Sequence, residues 1–294
     1  MQSPKDAILN WLKPVMPAAG LDWLQERARK FSSGAPDSYA YSSYGAALRH
    51  SGKGPLALPA GELRLAKELV PGWNPSDWTS DQAARIFLLL ALPPVPGSAR
   101  LIDRIYDTAD LGEAVAVQKA LPLLPLPAGH VARARAGARS SARVIFEAVA
   151  IRNPFPSLHF DLEGWNQLIG KAVFMDVPIA EIPGLEARAN PGLAGILLDL
   201  ADERRAARRP VNPDTWRCVA PFADDRAINS LLLALTGGTQ RETEAAAAAL
   251  AACPHPDASR LLASWSSERL SSSIPGSIGN TEPPEGRRGP RRRS

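Results

Sequence analysis

Alternation is missing from this sequence. No stretch of strand length switches regularly between apolar and polar residues, so sheet-based architectures find no support. Cysteine is nearly absent as well. The two present, Cys218 and Cys253, are too few for a disulfide framework and form no CxxC pair. They read as buried or idle thiols in a reducing cytoplasm. The apolar run Ile86 to Leu92 stops at Pro93-Pro94, far short of the roughly 20 residues of a membrane span. Asp6 and Pro14 interrupt the N-terminus before any signal-peptide pattern develops. A cytoplasmic protein with no transmembrane segment is the expectation.

Reactive signatures are missing too. There is no GxSxG elbow, and His50, His130, His159 and His255 all lie in or beside Gly/Pro-rich joins, where a histidine is usually structural. His255 with Cys253 is the only close pair of zinc-type ligands, and one pair does not make a site. Gly52-Lys53-Gly54-Pro55 lacks the Walker spacing, and Gly237-Gly238-Thr239 is better explained as a helix C-cap than as a phosphate loop. No metal and no cofactor are expected. The formal net charge of +4 also misleads at first sight. Ser271 to Ser294 holds five Arg and two Glu and so carries +3 of it, leaving +1 on the body. A near-neutral body lacks the basic footprint of a dedicated nucleic-acid binder.

What the sequence has is helix punctuation. Ser3-Pro4-Lys5-Asp6 supplies a cap, a first-turn proline and an acid before Ile8, Leu9 and Leu12. Leu21, Leu24, Ala28 and Phe31 follow at helical spacing. Further helices are predicted over 39–49, 61–70, 79–92, 99–108 and 110–121, with Thr79 to Gln82 as a start signal. Val131 to Ile151 reads as one long helix ended by Pro154 and Pro156. Others follow from about Leu162 to Phe174 and from about Pro191 to Arg208. Three short units, 225–236, 240–252 and 257–268, resemble stacked helix pairs. The expected fold is all-α, with stacked antiparallel helix pairs of HEAT-like solenoid character. One helical domain would cover 1–270, and a disordered Arg-rich tail 271–294.

Two sets of polar residues stand out. Asp199, Asp202 and Glu203 share a helix face and could hold a Mg²⁺. They could equally form a solvated face paired within the helix, Glu203 with Arg208 or Asp199 with Arg204, and that reading is preferred because a metal site normally draws carboxylates from a second helix. Asn153, Trp165, Asn166, Lys171, Arg188 and Asn190 are polar or amphipathic residues set among apolar ones near helix ends. Buried polar groups must be bonded. The partner would be a ligand or, for Lys171, Asp199 or Glu203 of the neighbouring helix, with an internal network preferred.

The string Arg152-Asn153-Pro154-Phe155-Pro156 resembles the EboA family. So do Trp165-Asn166 with Lys171-Ala172 and Phe174, and Ile182-Pro183-Gly184-Leu185 with Arg188 and Asn190. Glu203-Arg204-Arg205-Ala206-Ala207-Arg208-Arg209-Pro210-Val211, Trp216-Arg217 and Pro221-Phe222 continue the likeness. It is densest over 150–222, and Gly72-Trp73, Trp78 and Asp81-Gln82-Ala83-Ala84-Arg85 extend it toward the N-terminus. The resemblance implies a setting in bacterial gene clusters beside a UbiA-type membrane prenyltransferase, a TatD-like hydrolase, a dehydroquinate-synthase-like protein and a sugar-isomerase-like barrel. Those clusters make or move a secondary metabolite, and no chemistry attaches firmly to the EboA member.

Three readings follow. In the first, the chain is a helical adaptor or metabolite-binding protein whose partners are other proteins of the Ebo-type cluster. Its ligand-binding candidates are Arg152, Asn153, Trp165, Asn166, Lys171, Arg188, Asn190, Asp199, Glu203, Arg204, Arg208 and Trp216. In the second, it is an enzyme acting on a prenylated or phosphorylated intermediate, with Lys171 as acid or base and Asp199 and Glu203 holding Mg²⁺. In the third, the motif strings are helix-packing positions and the tail docks on an anionic membrane surface.

Overall fold

The computed structural model describes residues 2–272, with side chains up to Ser267. Sixteen α-helices order these residues: α1 (Pro4–Leu12), α2 (Ala18–Ser32), α3 (Asp37–Ser51), α4 (Ala60–Leu69), α5 (Ser80–Leu89), α6 (Pro96–Asp107), α7 (Leu111–Ala120), α8 (Val131–Arg139), α9 (Arg143–Ala150), α10 (Phe155–His159), α11 (Leu162–Phe174), α12 (Pro191–Ala206), α13 (Thr215–Val219), α14 (Asp225–Gly237), α15 (Gln240–Ala251) and α16 (Ala258–Ser272). Four short 3-10 turns join them, and the described residues contain no strand beyond a single bridge between Pro55 and Thr79. The fold is all-α. Of the expected tail, Ser271 and Ser272 continue α16, and 273–294 lie outside the described residues.

The caps act as the sequence suggests. Ser3 accepts from the Asp6 amide and Asp6 returns a bond to the Ser3 amide, closing a capping box on α1. Thr79 and Gln82 do the same for α5.

One expected helix is two. The stretch 131–151 breaks at Ser140-Ser141-Ala142, where Ser140 turns to an extended conformation and its hydroxyl accepts from the Ala142 amide. Serine competes with the helix through such local bonds. Lys171 then stabilises the break by donating to the carbonyls of Ala138 and Ser140 at 2.9 and 2.7 Å. A cation at the end of α8 satisfies carbonyls that a continuing helix would have used, and it sits at the negative pole of the helix dipole.

α5 is the hub. Every one of its residues except Gln82 is buried, and it packs against α1, α2, α3 and α7. Trp11, Trp73 and Trp78 pack beside one another, with successive ring centroids 5.5 and 5.6 Å apart. Gly72 explains how this corner closes. Its φ is +85°, and a Cβ there would stand 3.1 Å from Pro183 Cβ and 3.2 Å from Pro154 Cβ. Both the left-handed backbone and the close approach require glycine. Three stretches distant in sequence, around residues 72, 154 and 183, therefore meet at one point. Farther along, α11 packs on α12, α12 on α13, and α14, α15 and α16 on one another in order.

Candidate functional site

Most of the polar residues singled out by sequence are engaged in holding helices together. Asn153 is 3% exposed. It donates to the carbonyls of Gln118 and Ala148 and accepts from the Phe155 amide, tying α7, α9 and α10. Asn166 and Asn190 exchange reciprocal amide bonds of 3.2 and 2.9 Å, and Asn190 also caps α12 by accepting from Leu193. Arg188 lies over the buried Trp165 ring and donates to the carbonyls of Pro156 and Ser157. Burial lowers the pKa of both Arg188 and Lys171. Lys171 has neither Asp199 nor Glu203 as its partner.

The acidic face of α12 pairs within its own helix between Asp202 and Arg205 at 3.7 Å, and otherwise with neighbouring elements. Asp199 and Asp202 both accept from Arg226 of α14 at 2.7 Å, and Arg204 reaches Asp176. Pairs such as Glu203 with Arg208 do not form, because residues five apart lie about 140° round a helix; Glu203 and Arg208 are exposed. Trp216 is fully buried beneath Arg205. Among the described residues no group of three or more His, Cys, Asp or Glu stands close enough to hold a metal ion. Cys218 is buried and its thiol is pushed up to about 12, which keeps it protonated and unreactive. A shallow groove of about 540 Å³ runs between α11 and α12 past Asn166, Lys171 and Asp199, with Phe174 and Ile196 exposed along it.

Only Arg152 among the sequence candidates lines the more polar cavity, which opens between α5, α7, α9 and the 178–181 turn. It measures about 600 Å³. Leu111, Val115, Val144 and Ile151 form an apolar wall, and Asp77, Asp81, Gln82, Lys119, Glu147 and Glu181 supply charge and hydrogen bonds. Arg152 stands at φ +56°, a left-handed conformation unusual for a residue with a side chain. Its amide donates to Glu181 O and its carbonyl accepts from Asn74, while its guanidinium reaches the Glu181 carboxylate at 2.5 Å. Lys119 bridges Asp77 at 2.8 Å and Gln82 at 3.1 Å.

Behind this cavity sits a buried ion pair. Arg85 meets Asp81 at 2.6 Å, with side chains 2% and 5% exposed, and Glu113 approaches at 3.6 Å. The Thr79 hydroxyl donates to the other Asp81 oxygen. A buried charge survives only when paired and bonded in this way. The sequence carried a signal for it: Arg85 interrupts Ala83-Ala84 and Ile86 to Leu92, so it needs a partner one turn away, and Asp81 is there. Lys119, Glu147 and Glu181 carried no such signal, since each reads as an ordinary surface charge.

Residues 5–220 match the family model described as metabolite traffic protein EboA. The chain belongs to the EboA family. No curated protein and no solved structure matches it. The EboA match takes in all of the mixed-charge cavity and ends just before α14, so the last three helices lie beyond it. No described helix is long and apolar enough to cross a membrane.

Proposed function

We propose that this EboA-family chain is a non-enzymatic metabolite-binding protein of an Ebo-type pathway, and that its ligand occupies the cavity beneath Arg152. One observation carries this reading. The stretches 72–85 and 152–156, which bear the family resemblance and lie some seventy residues apart, converge on a cavity where opposed charges face an apolar wall. Pockets for small molecules combine these features, a mostly apolar lining with a few convergent polar groups. Charges of both signs suit a metabolite with donors and acceptors, and Leu111, Val115 and Val144 suit its carbon skeleton. The enzymatic alternative, built on Lys171 with Asp199 and Glu203, has its ammonium bonded to two carbonyls and Asp199 bonded to Arg226. Location in the cytoplasm and work beside a UbiA-type prenyltransferase belong to the same proposal.

The test uses a producing strain. Val115→Trp fills the cavity from its apolar side, and Lys119→Ala with Arg152→Ala removes its cations. Native mass spectrometry of the intact protein is expected to show a bound small molecule in the unaltered chain and none in either variant. Pathway product is expected to fall in step. Undiminished product with both variants folded would remove the cavity from the pathway.

A further inference from the structure

A second cleft shares no lining residue with the first. It measures about 480 Å³ and opens between the end of α12 and the join of α14 with α15. Arg205, Arg208 and Arg209 line one side, and Gly237 to Thr239 with Glu242 line the other. The backbone builds this arrangement deliberately. α12 closes with the Arg209 amide on Arg204 O at 2.8 Å and Arg208 at φ +55°. That is the glycine position of a Schellman turn, held here by arginine. On the facing side, a Cβ on Gly238 would lie 2.5 Å from Ala234 O and 3.0 Å from the Glu242 carboxyl. Glycine is therefore obligatory there for closeness, since its φ of −78° is ordinary.

The charges in this cleft do not cancel. Arg205 donates to the Ser230 hydroxyl and carbonyl at 2.6 and 2.8 Å and lies 3.7 Å from Glu242. Glu242 is 3% exposed. Burial raises its pKa, against the opposing pull of Arg205. Arginine and acid thus balance each other. Among the described residues Arg208 and Arg209 have no carboxylate within ion-pair distance, whereas Arg204 and Arg205 of the same string each have one. Their two guanidiniums line the cleft together with the start of α15, where the Thr239 hydroxyl already caps the Glu242 amide. Leu233 and Val211 add apolar wall.

We infer that this cleft binds the phosphate or diphosphate group of an organic phosphate ester. Paired guanidinium forks match the geometry of phosphoryl oxygens better than a single carboxylate. The volume exceeds what a bare anion fills, leaving room for an organic part against Leu233 and Val211. The site joins an arginine string inside the EboA match to helices beyond it, so both halves are needed to form it.

Calorimetry with inorganic pyrophosphate and inorganic phosphate, at one fixed salt concentration, tests the inference on the full chain. Pyrophosphate is expected to bind, and Arg208→Gly with Arg209→Ser to weaken it at least tenfold. Arg208→Gly keeps the fold safe, because glycine suits a left-handed backbone; an unchanged or raised melting temperature would confirm intact structure. Arg29→Ser with Arg49→Ser makes the same charge change at exposed sites elsewhere and is expected to leave binding unaltered. Sedimentation with phosphatidylglycerol vesicles separates the two sources of phosphate. Equal loss in the control pair, unchanged binding in the cleft pair, or binding to vesicles without binding to pyrophosphate would each overturn the site.

Discussion

The two clefts are alike in outline and opposite in charge. Each has an arginine in left-handed backbone at its edge, Arg152 in one and Arg208 in the other. Around Arg152 every cation but Lys53 faces a carboxylate: Lys119 meets Asp77, Arg152 meets Glu181, and Arg85 behind them meets Asp81. Around Arg208 two guanidiniums face none. The difference teaches that a charged residue is informative only once its partner is known. Paired charges hold the scaffold and fix the shape of a cavity, whereas unpaired ones retain their capacity to hold a ligand.

The contrast can be broken most forcefully at Arg85. Arg85→Met leaves Asp81 and Glu113 facing each other in a buried site, and the expected loss is about 3–5 kcal/mol, read by urea denaturation. Adding Asp81→Leu should recover much of that loss, since an apolar pair replaces a buried ion pair at little cost. A single Arg85→Met variant as stable as the unaltered chain would mean that the pair is solvated and the hub is not dry.

Lys171 comes next. Its ammonium is engaged by two carbonyls at the end of α8, so Lys171→Met should lose about 1–2 kcal/mol, through two carbonyls left unsatisfied. Were Lys171 instead a free acid or base awaiting a substrate, stability would be unchanged.

The same distinction limits what could be read from sequence. The start of α1, the extent of α11 and the corner before α12 follow from local chemistry in Ser3, Asp161 and Asn190, each of which caps the helix after it. The break at Ser140 was hidden because its cause is distant: Lys171 lies 31 residues away. The engagement of the candidate polar residues was hidden for a related reason. Asn153, Asn166, Arg188 and Asn190 look functional because they are polar among apolar residues, and the partners that satisfy them are mainly backbone carbonyls, which no side-chain pattern reports. Lys119, Glu147 and Glu181 look like ordinary surface residues until three chain segments bring them to one cavity.

A smaller effect compares the two left-handed arginines directly. Arg208→Gly relieves a backbone cost of about 1–2 kcal/mol, offset by roughly half through the greater freedom of glycine in the unfolded chain. A net gain of up to about 1 kcal/mol is expected from chemical denaturation. Arg152→Gly relieves the same cost but loses the pair with Glu181, worth up to about 1 kcal/mol at a partly exposed site, so it should come out near neutral. Equal gains at both positions would show that Arg152 is as unengaged as Arg208.

The smallest effect lies at Glu242, read against the other buried carboxylate, Asp81. Asp81 meets its arginine at 2.6 Å and Glu242 meets its own at 3.7 Å. For Glu242 burial dominates and raises the folded pKa above the unfolded one. Its favourable contribution is therefore complete below the unfolded value and is lost as pH rises through the folded value. At neutral pH the ionised carboxylate is a cost to the fold. Glu242→Gln should then raise the melting temperature at pH 7 by a few degrees at most, and the gain should vanish near pH 4. Asp81→Asn should do the reverse at neutral pH, leaving Arg85 without its near partner. Matching shifts of one sign at both positions would mean that the arginine in the second cleft holds its acid as firmly as the one in the hub, and the asymmetry that leaves Arg208 and Arg209 open to an anion would lose its physical basis.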